Sequence, residues 1–259
     1  MRWSSFGLSV AICGVLADPA LARQCAAESG PNTTALVELY TSEGCDSCPP
    51  ADRWLASLRG RGYSSAQVVP IALHVDYWDY IGWKDPFAKA AFSARQRKLA
   101  QVQRARIVYT PQVLLQGRDF RAWHTAEFDR AVARVNATPA GARIALELDT
   151  GAKDAFRVGV RAELQPAAAA SEAQLYLASY ENKLMSAVSS GENRGRSLSH
   201  DYVVLEWVGP LGFAADGRLA ERRLLALLPR AVPAHSGIAA FVQSRSTAKV
   251  LQALMLPAC

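Results

Sequence analysis

The sequence lacks most of the signatures that settle a function at once. There is no Gly-x-Ser-x-Gly and no His–Asp partnership that stands out, so a serine hydrolase has no support. The single Cys-x-x-Cys has no second copy, and a structural zinc site normally wants four ligands. Basic residues exceed acidic ones, 29 to 23, for a net charge of +6. They are scattered (Arg59, Arg61, Arg95, Arg97, Lys98, Arg104, Arg106, Arg222, Arg223), with no run that makes a nucleic-acid footprint. No internal repeat is visible. Past the N-terminus, no apolar stretch is long enough to cross a bilayer. What the chain does have is length and core: 259 residues, 50% of them hydrophobic, enough for a large core or two ordinary domains.

The N-terminus reads as an export signal. Met1-Arg2 gives a positive start, residues 6–16 are apolar, and Ala20-Leu21-Ala22 fits a small-x-small cleavage site. Residues 1–22 are therefore expected to be a signal peptide. The apolar run is too short for a ~30 Å hydrocarbon core, and Ile12 before Cys13 argues against a lipoprotein. Removing the signal leaves four cysteines: Cys25, Cys45, Cys48 and Cys259. An even count in an exported chain suits disulfides. If Cys45 and Cys48 form one pair, Cys25–Cys259 is the other possibility, since domain termini are often close; the alternative is two separate thiols.

Residues 35–58, ALVELYTSEGCDSCPPADRWLASL, organise the rest. An apolar run, 35–40, predicts a buried strand. A polar turn delivers Cys45-Asp46-Ser47-Cys48. Pro49 and Pro50 then open a helix whose Ala51, Trp54, Leu55 and Leu58 share one face. A helix N-terminus stabilises a thiolate, lowering its pKa from ~8.5 toward ~3.5–7.5, and the thiolate is the attacking species in disulfide exchange. Cys45, toward solvent, is assigned as nucleophile and Cys48 as the resolving thiol. The charge on Asp46 opposes thiolate formation.

Downstream, residues 68–75 predict a second strand, starting at Ile71 because of Pro70. It ends in His74-Val75-Asp76-Tyr77-Trp78-Asp79-Tyr80, with Trp83 nearby. Asp76 and Asp79 are substrate contacts or loop caps. The aromatics form an apolar rim or pack beneath the loop. Asp85 reads as an N-cap with Pro86 first in a helix that carries Arg95, Arg97 and Lys98 outward. Thr110-Pro111 precedes an apolar strand, 113–115, then a turn and a returning strand at 120–123. Thr125 caps a last helix, and 138–141 is a linker. Thereafter the period becomes two: 144–148, 156–160, 174–180, 200–207 and 238–242 predict strands, and 218–227 is ambiguous between strand and helix. His200, Asp201 and Glu192 show no catalytic spacing. Residues 190–195 form a loop able to reach the cysteine pair, and the second half is read as a binding module or cover.

The order strand, Cys-x-x-Cys, helix, strand, helix, Thr-Pro, hairpin, helix resembles the thioredoxin fold over residues 33–137. VELYTSEGCDSCPPAD, HVDYWDYIGWKDPFA, VYTPQ and GENRGRSLSHD are similar to an uncharacterised family of exported bacterial thioredoxin-like proteins with a β-rich C-terminal part. The resemblance implies an α/β thioredoxin-like domain (23–137) followed by a mostly antiparallel β-sandwich domain (138–259). It implies that Pro111 is a cis-proline beside the disulfide and that Thr110 offers its backbone to a substrate peptide; Tyr77, Trp78 and Asp76 are the candidate substrate contacts read from the residues themselves. Thioredoxins also bury an Asp behind the second cysteine; here Glu38 is the nearest candidate, but strand alternation aims it at the other face. The expected function is an exported, periplasmic or secreted thiol–disulfide oxidoreductase acting on protein or small-thiol disulfides. It would need an unidentified redox partner, no cofactor and no nucleic acid. The alternatives are a copper- or metal-handling factor using Cys45, Cys48 and His74 (His124 second) as ligands, and a non-catalytic binding protein.

Overall fold

A computed structural model describes Met1 and residues 24–151, 155–166, 169–228 and 231–259. Apart from Met1, the expected signal peptide and Cys13 lie outside the described residues. In chain order the elements are β1 (Gln24–Glu28), β2 (Ala35–Thr41), α1 (Pro49–Ser57), β3 (Val68–His74), a 3-10 turn (Asp76–Ile81), α2 (Ala90–Val102), β4 (Gln112–Leu115), β5 (Arg118–Asp119) and α3 (Ala126–Asn136). There follow β6 (Ala142–Asp149), β7 (Ala155–Leu164), β8 (Ala173–Glu181), β9 (Leu184–Ala187), β10 (Ser197–His200), β11 (Val203–Gly212), β12 (Arg218–Ala226), β13 (Ser236–Ser244) and β14 (Val250–Pro257).

This arrangement overturns the expected fold class, an α/β thioredoxin-like domain followed by a separate β-sandwich. The protein is mostly β, and its largest sheet draws on both halves of the chain, in the order β14-β13-β8-β11-β3-β2-β4-β5. The join is the parallel contact of β11 with β3 at Val203 and Ala72, where Ala72 N–H donates to Tyr202 O. The reason is visible in the side chains. A half-solvated sandwich strand buries alternate residues, but β8 and β13 are apolar on both faces and so belong inside a doubly covered sheet. In β13, Ile238, Ala240 and Val242 pack under a four-stranded sheet (β1-β6-β7-β12), while Ala239 and Phe241 face α2 and the aromatic turn. In β2, Val37 and Leu39 face α1 and α3, while Leu36 and Tyr40 face α2.

Arg95 is a second correction. Instead of lying on the outside of α2, it is buried, bonding Glu38 through Nε (2.7 Å) and Nη2 (3.0 Å) and Gln243 Oε1 (3.0 Å). Its guanidinium lies 4.8–5.1 Å from the ring centroids of Trp207, Tyr176 and Phe241. Glu38 also accepts from Tyr40 Oη, so it is spent on this pair and does not back the cysteines.

Other differences are local. Pro70 sits inside β3 because β11 joins only at Ala72, leaving β3 an edge at the proline. Asp85 accepts from Phe87 N–H as a cap would, but it closes only a single turn, and α2 begins at Ala90. The hairpin return is only Arg118–Asp119, and residues 200–207 split at Tyr202 (φ 58°) into β10 and β11. The ambiguous 218–227 stretch is a strand, paired with β7. The polar 24–33 stretch reads as irregular in the sequence, yet Gln24–Glu28 is a strand, and β14 has no counterpart among the strands expected from the sequence. β1 pairs with β6, and the Cys25–Cys259 disulfide fastens it (Cα–Cα 5.9 Å). Thr125 caps α3 as expected, accepting from Glu127 N–H.

Candidate redox site

β2 runs into a turn in which Cys45 N–H donates to Ser42 O and Cys48 N–H to Cys45 O. Cys48 is the N-cap of α1, with Pro49 and Pro50 in its first turn, where a missing amide costs nothing. Cys45 and Cys48 are bonded to each other (Cα–Cα 5.5 Å) at the positive end of the helix. β4 starts opposite the end of β2, pairing Gln112 with Tyr40, which brings the cis Thr110–Pro111 peptide to the same edge. Trp78 connects the two: its Nε1 donates to Thr110 Oγ1 (2.7 Å), and its Cβ lies 3.1 Å from where a Cβ on Gly44 would sit.

One expectation fails here. Cys45 does not face solvent; both cysteines have zero exposure. A ribbon of β9 and β10 folds over them, and the 190–195 loop does reach the pair. Asn193 Nδ2 donates to Glu43 O (2.8 Å) and Cys45 O (2.9 Å), and Glu192 Oε2 accepts from Asp46 N–H (3.1 Å).

The 76–83 segment is held from inside. Asp76 accepts a short hydrogen bond from Ser93 Oγ, and Tyr77 Oη donates to Gln96 Oε1 (3.1 Å). Trp83 Nε1 donates to Glu43 Oε2 (2.8 Å), while Tyr80 is 82% exposed. Asp76 and Tyr77 thus act as supports of the turn. Pro111 lines a groove of about 340 Å³ with Ile107, Tyr109, Val113, Arg121 and Trp123, and no residue of the 76–83 segment lines it. A larger trough, about 890 Å³, lies on the four-stranded sheet near Arg157 and Arg222 and includes neither cysteine of the pair.

Beneath the disulfide lies a buried ionisable cluster that the sequence reading missed. Asp52 follows Cys48 by four residues, one turn along the same helix face. His74 Nδ1 is 2.7 Å from Asp85 Oδ2, and His200 Nε2 is 3.0 Å from Glu43 Oε1. The two imidazoles meet edge to face, centroids 4.9 Å apart. Their outward nitrogens, His74 Nε2 and His200 Nδ1, are buried without a hydrogen-bond partner among the described residues. Burial pushes the Asp52 carboxyl up, against the pull of His200 and His74. Burial works to lower the His74 pKa, but Asp85, Asp52 and Glu43 overcome it and raise it. The Asp85 carboxyl is held below its usual range: burial raises it, and His74 more than reverses that. The one signal in the sequence was Asp52 itself, an acid beside the buried stripe of Ala51 and Leu55.

Among the described residues, no group of three or more His, Cys, Asp and Glu side chains is arranged to hold a metal ion. The alternative ligand set is not assembled, since the sulfurs are bonded to each other and His74 is held by Asp85. His124 sits exposed against the Trp123 ring. No described helix is long and apolar enough to cross a membrane.

Fold and site together define a mostly β protein built around a covered Cys-x-x-Cys disulfide. Residues 36–243 match the family described as protein of unknown function (DUF1223), and the chain belongs to that family. No curated protein matches it. Two solved structures share the fold. One is a crystal structure of a protein from Agrobacterium tumefaciens, 22% identical, covering 89% of this chain and 97% of that one, with a TM-score of 0.58. The other is HBP35 of Porphyromonas gingivalis, 16% identical, covering 88% of this chain and 76% of that one, with a TM-score of 0.66.

Proposed function

We propose that this protein is an exported thiol–disulfide oxidoreductase that exchanges disulfides with proteins or small thiols through Cys45 and Cys48. The observation that carries the reading is the Cys45–Cys48 disulfide at the N-terminus of α1, tied through Trp78 to Thr110 and Pro111. Export is supported by the Cys25–Cys259 disulfide, which suits an oxidising compartment.

In the reducing half-reaction, a partner thiolate attacks Cys45 Sγ. The Cys45–Cys48 bond breaks, a mixed disulfide forms on Cys45, and the electron pair leaves on Cys48 as a thiolate. A second partner thiolate then releases Cys45, so the pair gains two electrons and the partner becomes a disulfide. The reverse sequence oxidises the pair. The helix N-terminus lowers the cost of charge on the sulfurs. Asp52, its carboxyl pushed up by burial, is the group placed to give a proton to Cys48 as the thiolate forms and to take it back on oxidation. The His74 and His200 rings lie behind it, edge to face.

The test is trapping. A Cys48→Ala variant accumulates mixed disulfides on Cys45 with a disulfide-bearing polypeptide, and Cys45→Ala does not. Absence of adducts on Cys45, with the protein folded and Cys45 free, refutes the enzyme reading.

A further inference from the structure

The cover over the disulfide invites a functional reading that rests on the exchange chemistry just proposed. β9 and β10 pair only with each other, register Ser197 to Ala187 through His200 to Leu184, and join neither larger sheet. The ribbon leaves the eight-stranded sheet after β8 and returns to it at β11. A non-glycine residue in the left-handed region marks each crossing, Lys183 (φ 60°) and Tyr202 (φ 58°). The base is fastened across these two corners: Lys183 N–H donates to Asp201 Oδ1 and Tyr202 N–H to Asn182 Oδ1, both 2.9 Å. It is pinned further in by the buried His200–Glu43 bond.

The tip is different. Residues 189–196 read SSGENRGR, with no large apolar side chain, so lifting them exposes little apolar surface of their own. They dock through polar contacts: the two bonds of Asn193, the Glu192 carboxylate on Asp46 N–H, and Ser190 Oγ donating to Gly82 O (2.5 Å). Gly191 closes the seam. A Cβ there would come within 3.1 Å of Ile81 Cδ1 and 3.3 Å of Trp83 Cβ. Asn193 is itself fully buried and is held by Arg196 Nη1 donating to its Oδ1 (2.9 Å).

Three of the atoms contacted are main-chain groups of the turn that carries the cysteines: Glu43 O, Cys45 O and Asp46 N–H. An extended polypeptide lying along that turn meets the same acceptors with its amides and the same donor with a carbonyl. We propose that the ribbon tip is an autoinhibitory flap occupying the seat of a polypeptide substrate, that it lifts from the far ends of β9 and β10 while the fastened base stays in place, and that a partner polypeptide reaches Cys45 by displacing Asn193 and Glu192. The flap slows attack by small thiols and favours a polypeptide partner able to replace the flap's hydrogen bonds. Such local opening costs far less than global unfolding.

The test follows the rate at which dithiothreitol reduces the Cys45–Cys48 disulfide in the folded full chain, read by mass on the peptide that contains both cysteines. Asn193→Ala removes both hydrogen bonds to the cysteine turn, along with the one from Arg196, and is expected to speed reduction about ten- to hundred-fold. Glu192→Gln should speed it several-fold, and Arg194→Ala, exposed and outside the contact, should leave it unchanged. Hydrogen exchange at the Asp46 amide should rise in parallel. An excess of unfolded polypeptide with blocked cysteines should slow reduction of the Asn193→Ala variant by occupying the vacated seat. A rate for Asn193→Ala within two-fold of wild type overturns the flap. If Asn193→Ala does not fold, the same two-fold limit on Glu192→Gln decides it. Absence of protection by the blocked polypeptide overturns the assignment of the seat. These failures differ from failure of the exchange reading, in which the disulfide opens readily in Asn193→Ala but no mixed disulfide with a polypeptide is ever trapped.

Discussion

Replacing Arg95 with alanine tests how the two halves of the chain are held together. Glu38, its partner, has no side-chain exposure, and the Arg95 side chain has 8%. The change leaves a carboxylate in the core with only Tyr40 Oη to answer it. Removing one member of a buried ion pair costs about 3–5 kcal/mol. The guanidinium also sits among three rings from β8, β11 and β13, and desolvated contacts of that kind contribute up to about 2 kcal/mol. These terms overlap, so the expected loss is about 4 kcal/mol. That is a large part of the 5–15 kcal/mol typical of a folded protein. The assay is urea unfolding followed by circular dichroism, with both disulfides intact. The double variant Glu38→Gln/Arg95→Met removes both charges and should recover at least half of the loss, because the main cost is the orphaned carboxylate and not the missing pair. A loss under about 1 kcal/mol, the scale of a surface pair, or a double variant no better than Arg95→Ala, refutes the reasoning.

Two further outcomes are expected. Asp52→Asn should slow formation of the Cys48 thiol about 10- to 100-fold at pH 7, measured by stopped-flow tryptophan fluorescence, and should flatten the pH dependence of that step; an unchanged profile makes Asp52 structural. Stability should depend on pH through His74 and Asp85. The raised His74 pKa stabilises fully below the ordinary histidine value of 6.5, and that contribution fades as pH rises through the folded value. The lowered Asp85 pKa stabilises above the ordinary 3.8 and is lost as pH falls through the folded value. Asp52, raised by burial, also favours the acid side. The urea midpoint should therefore peak between about pH 4 and 6.5 and lose that peak in His74→Gln; a peak that survives the substitution rules the pair out as its source.

The local parts of the site were legible because they are written in short-range spacing. Two prolines after Cys48 and the Ala51–Leu55–Leu58 face fix α1, and the polar GENRG stretch announced a loop able to reach it. The long-range parts were not legible. Arg95 reads as an outward charge until β8, β11 and β13 return to surround it. Asp85 reads as a helix cap because its histidine partner lies 11 residues earlier on another element. His200 and Glu43, 157 residues apart, carry no mutual signal in the chain. The eight-stranded sheet itself turns on one parallel contact between Ala72 and Val203, which no periodicity can announce.

That distance along the chain has a consequence for how the protein comes into being. Cys45 and Cys48 are made early, but the asparagine that shelters them follows 148 residues later, and the partner of Cys25 is 234 residues away. On the export proposed above, a growing polypeptide entering an oxidising space presents three naked thiols well before their proper surroundings exist. Their adjacency lets the closely spaced two find each other first, leaving Cys25 to wait for the distant end that belongs to it.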